Sequence, residues 1–292
     1  MLHVVFKKSL HYWRLDTIPF CTYHTQYAPF HQSTTKNATM SLKQYMETLI
    51  QGDRHLTADE TYDAFFIILN ENPPQCQVAS LLTLLRARGE SPQEISGMVR
   101  AMNASCLPVT FKEEKKLLDI VGTGGDGADT INISTASVVL AAACGATVAK
   151  AGNRSVSSCC GSADVLEALG VQVDLSPTQV VECVEECGIA FLFAPINHPA
   201  MKAVAPIRKQ LGVRTCFNIL GPMTNAASAQ RAVIGVFQED LMELVAETLK
   251  FVGKVDHVAV IHGGGLDEIS PLGPATIIEV RRNKINHSLR AL

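Results

Sequence analysis

The sequence predicts an α/β fold: a small all-helical N-terminal subdomain followed by a larger α/β domain with a mainly parallel central sheet. Three observations predict it. Residues 40 to about 105 carry only helical signals, and from residue 117 onward short apolar runs alternate with amphipathic helical stretches. The first of those runs ends in the glycine-rich loop Gly122-Thr123-Gly124-Gly125-Asp126-Gly127.

Composition sets the outer limits. At 292 residues, 47% hydrophobic and 18% charged, the chain is long enough to bury a sizeable core. A formal net charge of −3 gives no general attraction to nucleic acid or to an anionic membrane, so any phosphate ligand must be held by a local site. No apolar run reaches the ~18 residues of a membrane-spanning helix. The nine cysteines show no CxxC pairs of a zinc site and no secreted disulfide framework. Cys159-Cys160 and the pair Cys183 and Cys187 are read as packing thiols in a reducing, cytoplasmic setting.

Residues 1–39 differ from everything after them. They hold one acidic residue, Asp16, against four Lys/Arg, four His and seven aromatics. This stretch is read as a disordered leader: an organelle-targeting (plastid or other) peptide, or an over-extended start before Met40-Ser41-Leu42.

The subdomain at 40–110 is expected to hold four helices, at 42–51, 58–69, 75–88 and 92–103, parted by Gly52, Asn72-Pro73-Pro74 and Gly89. Thr57-Ala58-Asp59-Glu60 and Ser91-Pro92-Gln93-Glu94 both match a capping box, the second with Pro at the first helical position. The stripes Phe65, Phe66, Leu69 and Leu81, Leu82, Leu85 are core or subunit interface.

In the domain at 111–292 strands are expected at 117–121, 147–150, 171–174, 189–193, 232–236 and 257–261. Helices are expected at 135–144, 163–169, 177–187 and 241–251, the last three closed by Gly170, Gly188 and Gly253. In such sheets ligands gather at the carboxyl ends of the strands.

Three strand ends carry polar or glycine-rich sequence. The Gly122 loop leads into Asn132-Ile133-Ser134-Thr135 and a helix: glycines let backbone N–H groups approach an anion, and a helix N-terminus adds partial positive charge. The alternative for a lone loop of this kind is a tight turn whose glycines only relieve strain. Lys150-Ala151-Gly152-Asn153-Arg154-Ser155-Val156-Ser157-Ser158 supplies a cation, an amide and several hydroxyls suited to phosphate oxygens. Asp267-Glu268, after the glycines 263–265, is an acidic pair of the kind that shares Mg2+ with a diphosphate. Arg208 offers a planar guanidinium for a carboxylate.

Together these stretches, with Gly161-Ser162-Ala163-Asp164, Arg214-Thr215-Cys216-Phe217-Asn218 and Gly265-Leu266-Asp267-Glu268, closely resemble the anthranilate phosphoribosyltransferase family over about residues 41–280. The resemblance implies transfer of the phosphoribosyl group of 5-phosphoribosyl diphosphate to anthranilate in tryptophan biosynthesis, by a homodimer formed through the helical subdomain. It implies that Gly122, Gly125, Asp126, Thr130, Asn132, Ile133, Ser134, Thr135, Lys150, Gly152, Asn153, Arg154, Ser155, Ser157, Ser158 and Ser162 surround the ribosyl diphosphate. Ser134, Asp267 and Glu268 would bind Mg2+, and Gly122, Asn153 and Arg208 would line the anthranilate site. Lys150, Asn153 and Arg208 would carry the chemistry.

Three departures from the family pattern stand out. Ala151 replaces a polar or imidazole side chain, Ala226 replaces Pro after Asn225, and the chain stops after residues 281–292 where the family continues with further strand and helix. Rival readings are a pyrimidine nucleoside phosphorylase of similar architecture and a non-catalytic, nucleic-acid-binding relative. The Asp267-Glu268 pair and Gly152-Asn153 disfavour the first, and the net charge disfavours the second.

Overall fold

The computed structural model describes residues 41–128, 130–155, 160–271, 273–282 and 284–290. The expectations for residues 1–39 and for Ser157 and Ser158 lie outside the described residues.

Four helices open the chain: α1 (Leu42–Gln51), α2 (Ala58–Asn70), α3 (Gln75–Arg88) and α4 (Pro92–Ala104). Both capping boxes form. The Thr57 hydroxyl accepts from the Glu60 N–H at 3.2 Å while Glu60 accepts from the Thr57 N–H at 2.9 Å, and Ser91 and Glu94 repeat the exchange. Glu94 does more. Fully buried, it also accepts from the Leu56 N–H at 3.0 Å and faces His55 Nδ1 at 2.9 Å, tying the α1–α2 loop to the start of α4. Phe65, Leu81, Leu82 and Leu85 are buried, whereas Phe66 is exposed and stacks on Tyr62.

Seven strands form one sheet: β1 (Leu117–Gly122), β2 (Thr147–Gly152), β3 (Ile189–Phe193), β4 (Arg231–Gly235), β5 (His257–Gly263), β6 (Ala275–Arg281) and β7 (Lys284–Arg290), in the order β3-β2-β1-β4-β5-β6-β7. The first five are parallel; β5–β6 and β6–β7 are antiparallel. The connecting helices are α5 (Ile133–Ala143), α6 (Ser162–Ala168), α7 (Pro177–Cys187), α8 (Ala194–Asn197), α9 (Met201–Leu211), α10 (Phe217–Leu220) and α11 (Asp240–Val252). From β1 the chain steps outward to β2 and β3, then returns to place β4 on the other side of β1. Strand order therefore reverses between β1 and β4, the position where open α/β sheets bind ligands.

One apolar core runs through both parts. Phe65, Ile95 and Met98 of the helices belong to the same cluster as Val245 and Leu249 of α11 and Val258, Val260 and Val280 of the sheet. Each such side chain contributes ~1.5–3 kcal/mol on burial, which fixes the helical layer against the sheet.

Two expectations are corrected. Residues 171–174 form no strand: Val173 is buried against Ala163 and Phe191, but the segment has no ladder partner among the described residues. Conversely, no strand is expected beyond residue 261, yet 275–281 form β6 against β5 and 284–290 form β7, paired with β6 from Arg281↔Lys284 to Ala275↔Arg290.

Candidate active site

The Gly122 loop leaves β1 at the switch point. Gly124, Gly125 and Gly127 have φ of 66°, 84° and 72°, a left-handed backbone that a side chain would strain. Thr123 anchors the loop to β4, its N–H donating to Gly235 O at 2.9 Å and its hydroxyl accepting from the Phe237 N–H at 3.2 Å. Arg214 holds the far side, donating to Gly125 O at 2.5 Å with its guanidinium 4.0 Å from the centre of the Phe237 ring.

Across this loop lies the turn after β5. Gly124 N–H donates to Asp267 Oδ2 at 2.7 Å, and a Cβ on Gly122 would overlap that carboxylate. Thr130 reaches Glu268 Oε2 at 3.5 Å. Gly263 is needed for the same approach, since a Cβ there would stand 2.5 Å from the Glu268 carbonyl oxygen. Asp267 and Glu268, 145 positions from the loop in sequence terms of Gly122 and Asp267, thus close over the carboxyl ends of β1 and β4.

Three carboxylates meet there without a cation. Burial pushes Asp267 above its ordinary range, and the neighbouring Asp126 adds to the rise. Burial first, then the charges of Asp267 and Asp126, pushes Glu268 up to about 7. Among the described residues no Lys or Arg pairs with any of the three. Nor do the described residues hold a ready-made group of three or more His, Cys, Asp or Glu ligands for a metal ion.

On the other side of β1, Asn132-Ile133-Ser134-Thr135 begins α5, whose N-terminus has no side-chain cap. Asn132 turns its amide toward Cys160 Sγ at 3.7 Å, and the Thr135 hydroxyl donates to Ser162 Oγ at 3.0 Å. Lys150 approaches from beneath. Only 2% exposed, its Nζ donates to Ile120 O at 2.6 Å and to Ser134 Oγ at 3.2 Å. Gly152 lets the Phe191 ring approach: a Cβ there would stand 2.6 Å from it.

Other expected residues stand differently. Asn153 is exposed and its Oδ1 accepts from the Arg154 N–H at 2.8 Å. The Arg154 guanidinium is engaged by Glu167 and lies 5.3 Å from the Phe193 ring centre, so what it offers a ligand is backbone. The Ser155 N–H donates to Asp164 Oδ2 at 2.9 Å. Arg208 is in the last turn of α9, 5.4 Å from the Phe217 ring centre, and among the described residues it has no hydrogen bond or ion pair. Burial lowers its pKa. No hydrogen bond joins Arg208 to the Gly122 cluster.

The sequence motifs do not single out Asp119, which sits 2% exposed inside apolar β1, or Asn225, whose Nδ2 donates to it at 2.7 Å. The signal was present: a carboxylate in the middle of a buried strand requires partners. Nor do the motifs single out Asn197 and His198, just after β3, whose Oδ1 and Nδ1 are buried with no hydrogen-bond partner among the described residues.

A helical layer on a mainly parallel sheet, with a glycine loop and a carboxylate pair meeting at the switch point, is the architecture this chain shares with the glycosyl transferase family. Residues 43–106 match the helical bundle domain and residues 114–290 the a/b domain of the glycosyl transferase family. The chain is 46% identical over 243 residues to anthranilate phosphoribosyltransferase of Chlamydia caviae (83% of this chain, 70% of that one) and 48% identical over 229 residues to that of Thermomicrobium roseum (78% and 66%). Among solved structures, the Thermus thermophilus enzyme superposes with a TM-score of 0.77 at 44% identity, covering 85% of this chain and 72% of that one. The Saccharomyces cerevisiae enzyme in complex with PRPP and Mg superposes with a TM-score of 0.77 at 28% identity and the same coverage. The chain belongs to the anthranilate phosphoribosyltransferase family. It spans about two thirds of the length of these relatives, from 66% to 72%.

Proposed function

We propose that the chain transfers the 5-phosphoribosyl group of 5-phosphoribosyl diphosphate to the amine of anthranilate, releasing diphosphate, as a step of tryptophan biosynthesis. The observation that carries this reading is Asp267, bonded to the N–H of Gly124 and pressed against Gly122, which puts a carboxylate pair and a phosphate-type loop at one switch point. The loop N–H groups, Asn132, Ser134, Thr135 and the uncapped start of α5 form the cradle for diphosphate oxygens, with Lys150 supplying positive charge from below.

Asp267, Glu268 and Ser134 would hold Mg2+. The residues fit it: an all-oxygen donor set, crowded carboxylates with raised pKa and, among the described residues, no cationic partner and too few ligands to close a site without substrate oxygens and water. When bound, Mg2+ neutralises charge building on the departing diphosphate.

The C1–O bond to diphosphate breaks, its electron pair leaving with the diphosphate, as the anthranilate nitrogen bonds to C1, and the nitrogen then gives up a proton to solvent. No enzyme nucleophile takes part. Arg208, free of carboxylate partners, faces the acceptor carboxylate, and Asn153 with Gly122 borders the ring, so rate comes from alignment and electrostatics. Pairing of two chains through the helical layer belongs to the same reading.

Anthranilate fluorescence followed with the ribosyl diphosphate and Mg2+ tests it. Loss of signal with release of one diphosphate per anthranilate is expected. Phosphorolysis of uridine or thymidine without anthranilate loss would overturn it.

A further inference from the structure

β1 and β2 pair only at Leu117↔Thr147 and Leu118↔Val148, although both strands run on to Gly122 and Gly152. On their outer sides pairing is complete, β1 with β4 through Gly122↔Gly235 and β2 with β3 through Gly152↔Phe193. The sheet therefore parts between β1 and β2, and it parts toward the ligand-binding end.

Had the ladder continued in register, the Ala151 N–H would have donated to Ile120 O. Three side chains take these backbone groups instead. Asp119 Oδ1 accepts from the Ala151 N–H at 3.2 Å, Lys150 Nζ donates to Ile120 O at 2.6 Å, and Asn225 Nδ2 donates to Ala149 O at 2.8 Å. Asn225 also donates to Asp119 Oδ2 at 2.7 Å, and its own Oδ1 accepts from the Ala227 N–H at 2.9 Å.

A plain ladder would satisfy the same backbone groups without burying a charge. Asp119 and Lys150 are each 2% exposed, and a buried pair of opposite charges is seldom more stable than apolar packing of the same volume. Stability alone gives no reason for the parting. Its effect is to make room for the Lys150 ammonium, which donates a second N–H to Ser134 Oγ in the first turn of α5 and keeps a third.

We propose that Asp119 and Asn225 are positioning residues for Lys150: together they hold β1 and β2 apart and fix the ammonium under the diphosphate cradle. The proposal rests on the reading of that cradle given above. Asp119 also supplies the negative charge that sustains the buried ammonium against desolvation. Asn225 acts only through Asp119 and the β2 backbone.

The test uses the full chain with inorganic diphosphate and Mg2+ as the binding probe, alongside steady-state kinetics. Asp119→Asn is expected to weaken diphosphate binding and raise the KM for ribosyl diphosphate at least about tenfold, with the KM for anthranilate within about twofold. Asn225→Ala should show the same split. Lys150→Met combined with Asp119→Asn should bind no more weakly than Lys150→Met alone, because the two act as one unit. Should Asp119→Asn fail to fold, the double variant, which leaves no unpaired buried charge, keeps the comparison available. Equal changes in both KM values, multiplicative losses in the double variant, or unchanged diphosphate binding by Asp119→Asn would overturn the proposal while leaving the function intact. Failure of the unaltered chain to bind diphosphate at all would overturn the function itself, and this proposal with it.

Discussion

The backbone of Asp267 lies directly on Gly235: a Cβ on Gly235 would overlap the Asp267 carbonyl oxygen. The carboxylate pair is thus seated by a missing side chain at the end of β4, a residue 32 positions away that offers no chemistry of its own. Gly235→Ala should push the 264–268 turn off the Gly122 loop, costing about 1–3 kcal/mol of stability. Its kcat/KM should fall by more than about tenfold. Gly221→Ala, with open space around its Cβ position, is the matched control and should change neither.

Crowding of Asp126, Asp267 and Glu268 opposes folding in the absence of metal. Asp267→Asn should therefore raise Tm measured in EDTA while reducing Mg2+-dependent turnover by about a hundredfold or more. A lower Tm with turnover retained would show that the cluster is structural.

Arg208 is buried on one side by Phe217 and carries no partner of its own among the described residues. Arg208→Lys keeps the charge but loses the planar fork, so the KM for anthranilate should rise about tenfold while the KM for ribosyl diphosphate holds. A change confined to the ribosyl diphosphate KM would move Arg208 to the donor site.

Asp119 gives the fold a pH dependence. Burial, set against Lys150, Asn225 and the Ala151 N–H, pushes its carboxyl up to about 6. In the unfolded chain an aspartate ionises near about 3.9. Between those values the folded chain keeps a proton that the unfolded chain has lost. This contribution is therefore fully present at low pH and declines as pH rises through about 6, by on the order of 3 kcal/mol at most. Urea midpoints of the unaltered chain minus those of Asp119→Asn, taken from about pH 4 to pH 7, should show that slope. A flat difference would mean the carboxyl is not buried as described.

Much of this was legible in the sequence because local chemistry decides it. The capping boxes at Thr57 and Ser91 form as their side chains require, and Gly188 and Gly253 end their helices at φ of 76° and 73°. The meeting of the Gly122 loop with Asp267 follows from both lying at strand ends. What failed depends on neighbours. Residues 171–174 alternate like a strand but find no partner among the described residues, while β6 pairs with β5 and β7 with β6, an arrangement that their own pattern does not announce. The pairing of the Arg154 guanidinium with Glu167, 13 positions on, is likewise set by the fold and not by its own stretch. The role of Lys150 changed most, from a cation at a strand end to a buried group whose place is set by Asp119 and Asn225.

Calorimetric titration of the purified chain with 5-phosphoribosyl diphosphate, with and without Mg2+, tests the central claim most directly. Binding that requires Mg2+ and disappears in Asp267→Ala/Glu268→Ala is the expected result. Equal binding in EDTA, or binding that survives the double substitution, would contradict the assignment of the Gly122 loop, Lys150 and the carboxylate pair to one metal-bound diphosphate.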